Sequence, residues 1–169
     1  MSDEKILYNA VLVFLVMNSK VLLAEKGAKI GKGFLNGYGG GIEEGETPEE
    51  AAEREFAEES GGATIRSDYL DKIAVADFHN RTSQGERFIC RVHVFVVRQW
   101  MGGPKSTPDM LEPNWYEVRS LPVERLMLAD RYWLPQALSG YKLLVKASYG
   151  PSQQTLDGEV EIKIVANLE

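Results

Sequence analysis

Glu55, Glu58 and Glu59 are spaced i, i+3 and i+4, so in a helix their three carboxylates project from one side. Like charges at this spacing cost an isolated helix about 0.2–0.5 kcal/mol per pair. Taken alone, such a ridge reads as a solvated acidic face. The segment before it adds a second reading. Ala28 to Gly45 is crowded with glycine, including Gly37, Gly39, Gly40 and Gly41, and a glycine backbone can approach a ligand closely. Ala51 and Ala52 lie one turn before the acids on the same side, leaving little bulk between them and the loop. Carboxylates beside a glycine loop suit a hard divalent cation. Mg²⁺ binds a few carboxylates, keeps several waters and completes its shell with substrate phosphates.

The elements that must position these groups are marked in the sequence. Thr47 predicts an N-cap, Pro48 the first helical position, and Glu50 the second half of a capping box. Gly61-Gly62 predicts the stop. Upstream, Ile6 to Met17 and Val21 to Glu25 read as strands joined by a hairpin turn at Asn18-Ser19-Lys20. Downstream, Arg66 to Phe78 and Arg87 to Arg98 read as a strand pair. In the second, Phe88, Cys90, Val92, Val94 and Val96 share one face. Trp115 to Val118 predicts a short strand, Arg131 to Leu138 a helix ended by Gly140, and Lys142 to Ser148 with Glu159 to Val165 a closing hairpin. Strands and helices mixed in this way imply an α/β arrangement of layers around a mixed sheet. A chain of 169 residues without repeat or linker fits one domain.

Composition narrows the function classes. Hydrophobic content of 44% and charged content of 26% describe a globular chain. A net charge of −6 argues against tight binding of long nucleic acid, which requires a basic surface. The single cysteine, Cys90, excludes an internal disulfide, points to a reducing compartment and reads as a core thiol. The run Ala10 to Met17 is far short of the ~20 residues of a membrane helix. Met1-Ser2-Asp3-Glu4-Lys5 is acidic and lacks a signal-peptide start, so a cytoplasmic protein without membrane attachment is expected. His79 and His93 are isolated and read as structural, and no His/Cys cluster suggests zinc. Trp100, Trp115 and Trp133 read as core or rim residues.

Gly40, Glu46 and Arg54-Glu55-Phe56-x-Glu58-Glu59-x-Gly61 together spell G-x5-E-x7-R-E-F-x-E-E-x-G. This pattern resembles the Nudix box, the signature of hydrolases acting on nucleoside diphosphates linked to another group. The resemblance implies a Nudix fold spanning 1–169, with a mixed β-sheet sandwiched between helices. It implies a Mg²⁺-dependent enzyme, with Mn²⁺ as an alternative ion. Glu55, Glu58 and Glu59 would bind the metals with a backbone carbonyl near Gly39 or Gly40. Arg54 would orient a glutamate, and Glu46 would brace the loop–helix junction. Gly62 departs from the family pattern, which has an aliphatic residue there.

Further segments fall in order along nearly the whole chain. These are Leu35-Asn36-Gly37-Tyr38-Gly39-Gly40, Val92-His93-Val94-Phe95, Pro113-x-Trp115-Tyr116, Asp130-x-Tyr132-Trp133-x-Pro135 and Thr155-Leu156-Asp157. Together they resemble the MutT-type branch, whose members hydrolyse oxidised purine nucleoside triphosphates such as 8-oxo-dGTP to monophosphates. The resemblance implies a small nucleotide as partner, a monomer or homodimer, and a substrate pocket drawing on Asn36, Asp130, Lys26, Phe78 and Met127. Asn36 and Asp130 would hydrogen-bond the base edge. As plain sequence features, Asn36 also fits a turn before glycine, and Asp130 an N-cap of the following helix. Animal members of the branch carry two adjacent aspartates, where this chain has Ala129-Asp130, and a stacking tryptophan, where it has Met127. A further metal-binding glutamate is matched by Asp109 or by Glu112. Other Nudix substrates (nucleotide sugars, dinucleoside polyphosphates, capped RNA) and a non-catalytic nucleotide sensor are the alternatives.

Overall fold

The computed structural model describes Glu4 and residues 6–168, apart from the side chain of Leu7. The rest of the acidic start, Met1-Ser2-Asp3 and Lys5, lies outside the described residues. The elements run β1 (Ile6–Met17), β2 (Lys20–Lys26), β3 (Leu35–Asn36), β4 (Tyr38–Gly41), α1 (Pro48–Glu59), β5 (Leu70–Arg81), β6 (Arg87–Val97), β7 (Met110–Glu117), α2 (Asp130–Leu138), β8 (Lys142–Pro151) and β9 (Glu161–Val165). Among the described residues no helix is long and apolar enough to cross a membrane.

The sheet is mixed, in the order β3-β2-β1-β6-β5-β8-β9, with β4 also paired to β1 and β7 to β2. β1 is its spine, running parallel to β6 on one side. Its other side is divided between the start of β2, at Lys20 and Val21, and the whole of β4, where Val11 faces Gly40 and Leu12 faces Gly39. The β1–β2 turn is Asn18-Ser19, with φ of 52° and 65°, the left-handed pair of a tight hairpin turn whose twist matches the flanking strands.

Alternation along the strands gives the sheet two apolar faces. Phe14, Ala76, Val94 and Val96 pack against Trp133 and Leu134 of α2. Val13, Leu15, Phe95 and Val97 pack against Ala51, Ala52 and Phe56 of α1. The sheet is therefore sandwiched between the helices. Phe56 is fully buried at the centre of the second layer, where truncation to Ala would cost about 3–5 kcal/mol.

Several boundaries differ from those read in the sequence. Residues 66–69 are not strand: Ser67–Tyr69 is a 3₁₀ turn entered from Arg66, and β5 starts at Leu70 and continues past Phe78 to Arg81. β7 starts at Met110, ahead of Trp115, because pairing with β2 continues down to Lys26. β8 runs past Ser148 to Pro151, and β9 begins at Glu161 rather than Glu159.

Candidate active site

Helix α1 is held at both ends. Thr47 accepts the Glu50 N–H through its hydroxyl at 3.1 Å, and the Glu50 carboxylate accepts the Thr47 N–H at 3.2 Å. At the other end Gly61 turns left-handed, with φ of 77°, and the Gly62 N–H closes on the Ala57 carbonyl at 3.0 Å. Burial of Ala51, Ala52 and Phe56 sets the rotation of the helix. Glu55 and Glu59 consequently flank the buried stripe and face β4. Glu58 turns outward, with its side chain 61% exposed.

The carboxylate of Glu59 accepts the Gly39 N–H at 2.9 Å. Burial pushes this carboxyl up to about 7, reinforced by Glu55 and Asp109 and opposed by the Gly39 hydrogen bond and Lys26. Glu55 seats directly against Gly40, where any Cβ would overlap its carboxylate. Arg54 ties this arrangement to the preceding loop. It donates to Glu46 at 2.8 and 2.9 Å, to Glu55 at 2.8 Å and to the Gly41 carbonyl at 3.0 Å. The Arg54 bonds, with one from the Glu43 N–H, hold Glu46 at about 2. Both Glu46 and Arg54 are therefore charged at neutral pH.

Among the described residues no three Asp, Glu, His or Cys side chains converge tightly enough to hold a metal as they stand. The chemistry of the donors nevertheless fits one. Glu55 and Glu59 are hard oxygen donors from one helix against the glycine backbone of β4, and Glu58, 3.7 Å from Arg54, is the exposed third. Such an all-oxygen set with room for water suits Mg²⁺.

Behind β4 opens a cavity of about 240 Å³, lined by Lys26, Asn36, Phe78, Met127 and Asp130 together with Gly39, Gly40 and Glu59. Asn36 accepts the Gly37 N–H at 2.8 Å, which leaves its amide nitrogen beside the Met127 sulfur at 3.9 Å. Asp130 is 5% exposed. Its carboxyl accepts the Trp133 indole N–H at 3.1 Å. Burial pushes it up to about 7 against that hydrogen bond and the charge of Lys26. Larger clefts of about 900 and 600 Å³ open elsewhere on the sheet, but neither contains any of the α1 glutamates.

Residues 7–137 match the NUDIX domain. The chain belongs to the Nudix family. It is 35% identical over 133 residues to the oxidized purine nucleoside triphosphate hydrolase of Danio rerio, covering 79% of this chain and 81% of that protein. It is also 35% identical to the protein of the same name in Mus musculus, covering 80% and 81%. Among solved structures, a MutT protein from Bacillus halodurans superposes with a TM-score of 0.74 at 20% identity, covering 92% of this chain and 97% of that one. That likeness shows the shared fold.

The Nudix fold brings the expected base-pocket residues Asn36, Asp130, Lys26, Phe78 and Met127 to one cavity. Asp130 is not an N-cap. The capping position is Ala129 without a side-chain bond, and Asp130 is the first helical residue, turned inward to Trp133. Asp109 stands close enough to oppose ionisation of Glu59. Glu112 is exposed within β7, where the pairing with β2 shifts register and its φ is 45°, and its N–H donates to the Ser106 hydroxyl. Cys90 is half-buried and lines this cavity instead of sitting in the core. His79 is not isolated, since its ring contacts Glu4 at 2.6 Å. Tyr149 and Gln153 also line this cavity, and sequence reasoning missed both. Alternation from Leu143 through Val145 and Ala147 reaches Tyr149 and carried that signal; Gln153, in a loop, had none.

Proposed function

We propose that this Nudix protein hydrolyses oxidised purine nucleoside triphosphates to a nucleoside monophosphate and pyrophosphate, as a nucleotide-pool cleansing enzyme. The observation that carries the reading is the continuity of one cavity from Asn36 and Asp130 to Gly39, Gly40 and Glu59. A base held at the first end has its phosphates at the acidic end.

In this reading Asn36 and Asp130 hydrogen-bond the base edge, while Phe78 and Met127 supply apolar contact, the Met through a polarisable thioether. Glu55, Glu58 and Glu59, with a carbonyl of Gly39 or Gly40 and with Asp109 as the downstream acid, hold the divalent cation. When bound, that cation polarises the phosphates and lowers the pKa of an attacking water. Arg54 fixes the Glu55 carboxylate, and Glu46 fixes Arg54. A carboxylate of the cluster orients the water and takes up its proton. We also read 1–169 as a single domain, because β8 and β9, beyond the matched region, pair into the same sheet through β5.

A substrate panel with Mg²⁺ tests the proposal. Oxidised purine triphosphates should have the highest kcat/KM, above nucleotide sugars, dinucleoside polyphosphates and capped RNA. A higher value for one of the latter would replace it.

A further inference from the structure

Ala129 immediately precedes Asp130 in the chain. It is fully buried. Its backbone N–H does not reach the cavity; it donates to the Tyr149 hydroxyl at 2.9 Å. Tyr149 is 2% exposed, packs its ring on Phe78 at 5.8 Å between centroids, and lines the cavity beside Asp130. The hydroxyl thus accepts from Ala129, and among the described residues its own proton has no acceptor. Burial and the adjacent Asp130 keep that proton in place.

Besides Lys26 and Gln153, three side chains lining this cavity leave polar atoms for a base edge. Asn36 offers its amide nitrogen, since its oxygen is engaged by Gly37. Asp130 offers one carboxyl oxygen, since the other is engaged by Trp133. Tyr149 offers an O–H donor. A purine with a carbonyl at C6 presents an acceptor oxygen next to an N1–H donor, which pairs with the hydroxyl and the Asp130 carboxylate respectively. A purine with an amino group at C6 presents donors toward a hydroxyl whose acceptor capacity Ala129 already occupies.

We propose that the Tyr149 hydroxyl is a base-edge donor that favours purines with a carbonyl at C6 over purines with an amino group there. The proposal rests on reading the cavity as the base site. It assigns to Tyr149 a place in recognition beside Asn36 and Asp130.

The test compares dITP with dATP, which differ only in the C6 group and the N1 proton that accompanies it. Tyr149→Phe should lower the dITP:dATP ratio of kcat/KM by about 3- to 10-fold, the range of one neutral hydrogen bond. Most of that change should fall on dITP. The melting-temperature rise produced by dIMP should shrink relative to that produced by dAMP, a readout independent of turnover. Equal slowing of both nucleotides, as from loss of the Ala129 contact alone, would overturn it. Asn36→Ala separates the two levels. If it weakens both nucleotides while Tyr149→Phe leaves the ratio unchanged, the Tyr149 assignment fails and the base site stands. If Asn36→Ala affects neither nucleotide, the base site is elsewhere and the Tyr149 proposal falls with it.

Discussion

Arg54 and Glu46, eight residues apart, are joined by two hydrogen bonds of 2.8 and 2.9 Å. The same guanidinium reaches Glu55 at 2.8 Å, so one side chain couples the loop before α1 to a carboxylate of the proposed metal cluster. Two-point pairing of this kind fixes direction as well as distance. The loop, the helix and the glycine strand are thereby held in one register.

Glu46→Gln should loosen that register and lower kcat by about 10-fold, within the range for a lost supporting contact at a metal site. Because the Glu46 pKa is depressed from 4.5 to about 2, its stabilising effect is present above pH 4.5 and is lost as pH falls through 2. The melting-temperature difference between wild type and Glu46→Gln should therefore be constant above pH 4.5 and shrink below it. A difference that grows on acidification would contradict the pairing.

Glu58→Gln and Glu59→Gln should each lower kcat by at least ~10²-fold at saturating Mg²⁺. The fold should survive both. The Glu59 carboxyl is raised from 4.5 to about 7, so its favourable protonated form is lost as pH rises through 7. Metal-free Glu59→Gln should gain melting temperature over wild type at pH 8 and match it more closely at pH 4.5. Wild-type turnover in both variants would remove the cluster from catalysis.

Gly40→Ala places a methyl group where the Glu55 carboxylate now sits. Mn²⁺ affinity, followed by electron paramagnetic resonance without nucleotide, should fall about 10- to 100-fold. Unchanged affinity would mean that Glu55 does not bind the metal from this position.

Much of this site was legible because its signals are local. Thr47, Pro48 and Glu50 mark a helix start through contacts three residues apart, and the 55/58/59 spacing follows from helix geometry. Asp130 was harder to place. An acid just before Tyr132-Trp133 fits a cap or an inward-facing first turn equally well, and the choice depends on an indole that arrives by tertiary packing. Cys90 and Tyr149 were obscured for a related reason. Strand alternation states that they face the apolar side, but not that the sheet opens into a cavity there. The early start of β7 depends on a partner, β2, more than eighty residues away in sequence.

Asp130→Ala should lower kcat/KM for the best purine triphosphate by roughly 10- to 100-fold, corresponding to about 1.5–3 kcal/mol for a charged hydrogen bond. A pyrimidine triphosphate should be affected much less. Its raised pKa of about 7, against 3.8, predicts that the stability advantage of Asp130→Asn over wild type grows from pH 4 to pH 7 and is level above. Equal slowing of purines and pyrimidines would assign Asp130 a structural role only.

Hydrolysis of 8-oxo-dGTP by the wild-type protein with Mg²⁺ can be followed by ³¹P NMR. 8-oxo-dGMP and pyrophosphate should appear together, in equal amounts, from the first turnovers. Orthophosphate and 8-oxo-dGDP as the first products, or no turnover under conditions where a nucleotide sugar is cleaved, would contradict the proposed function.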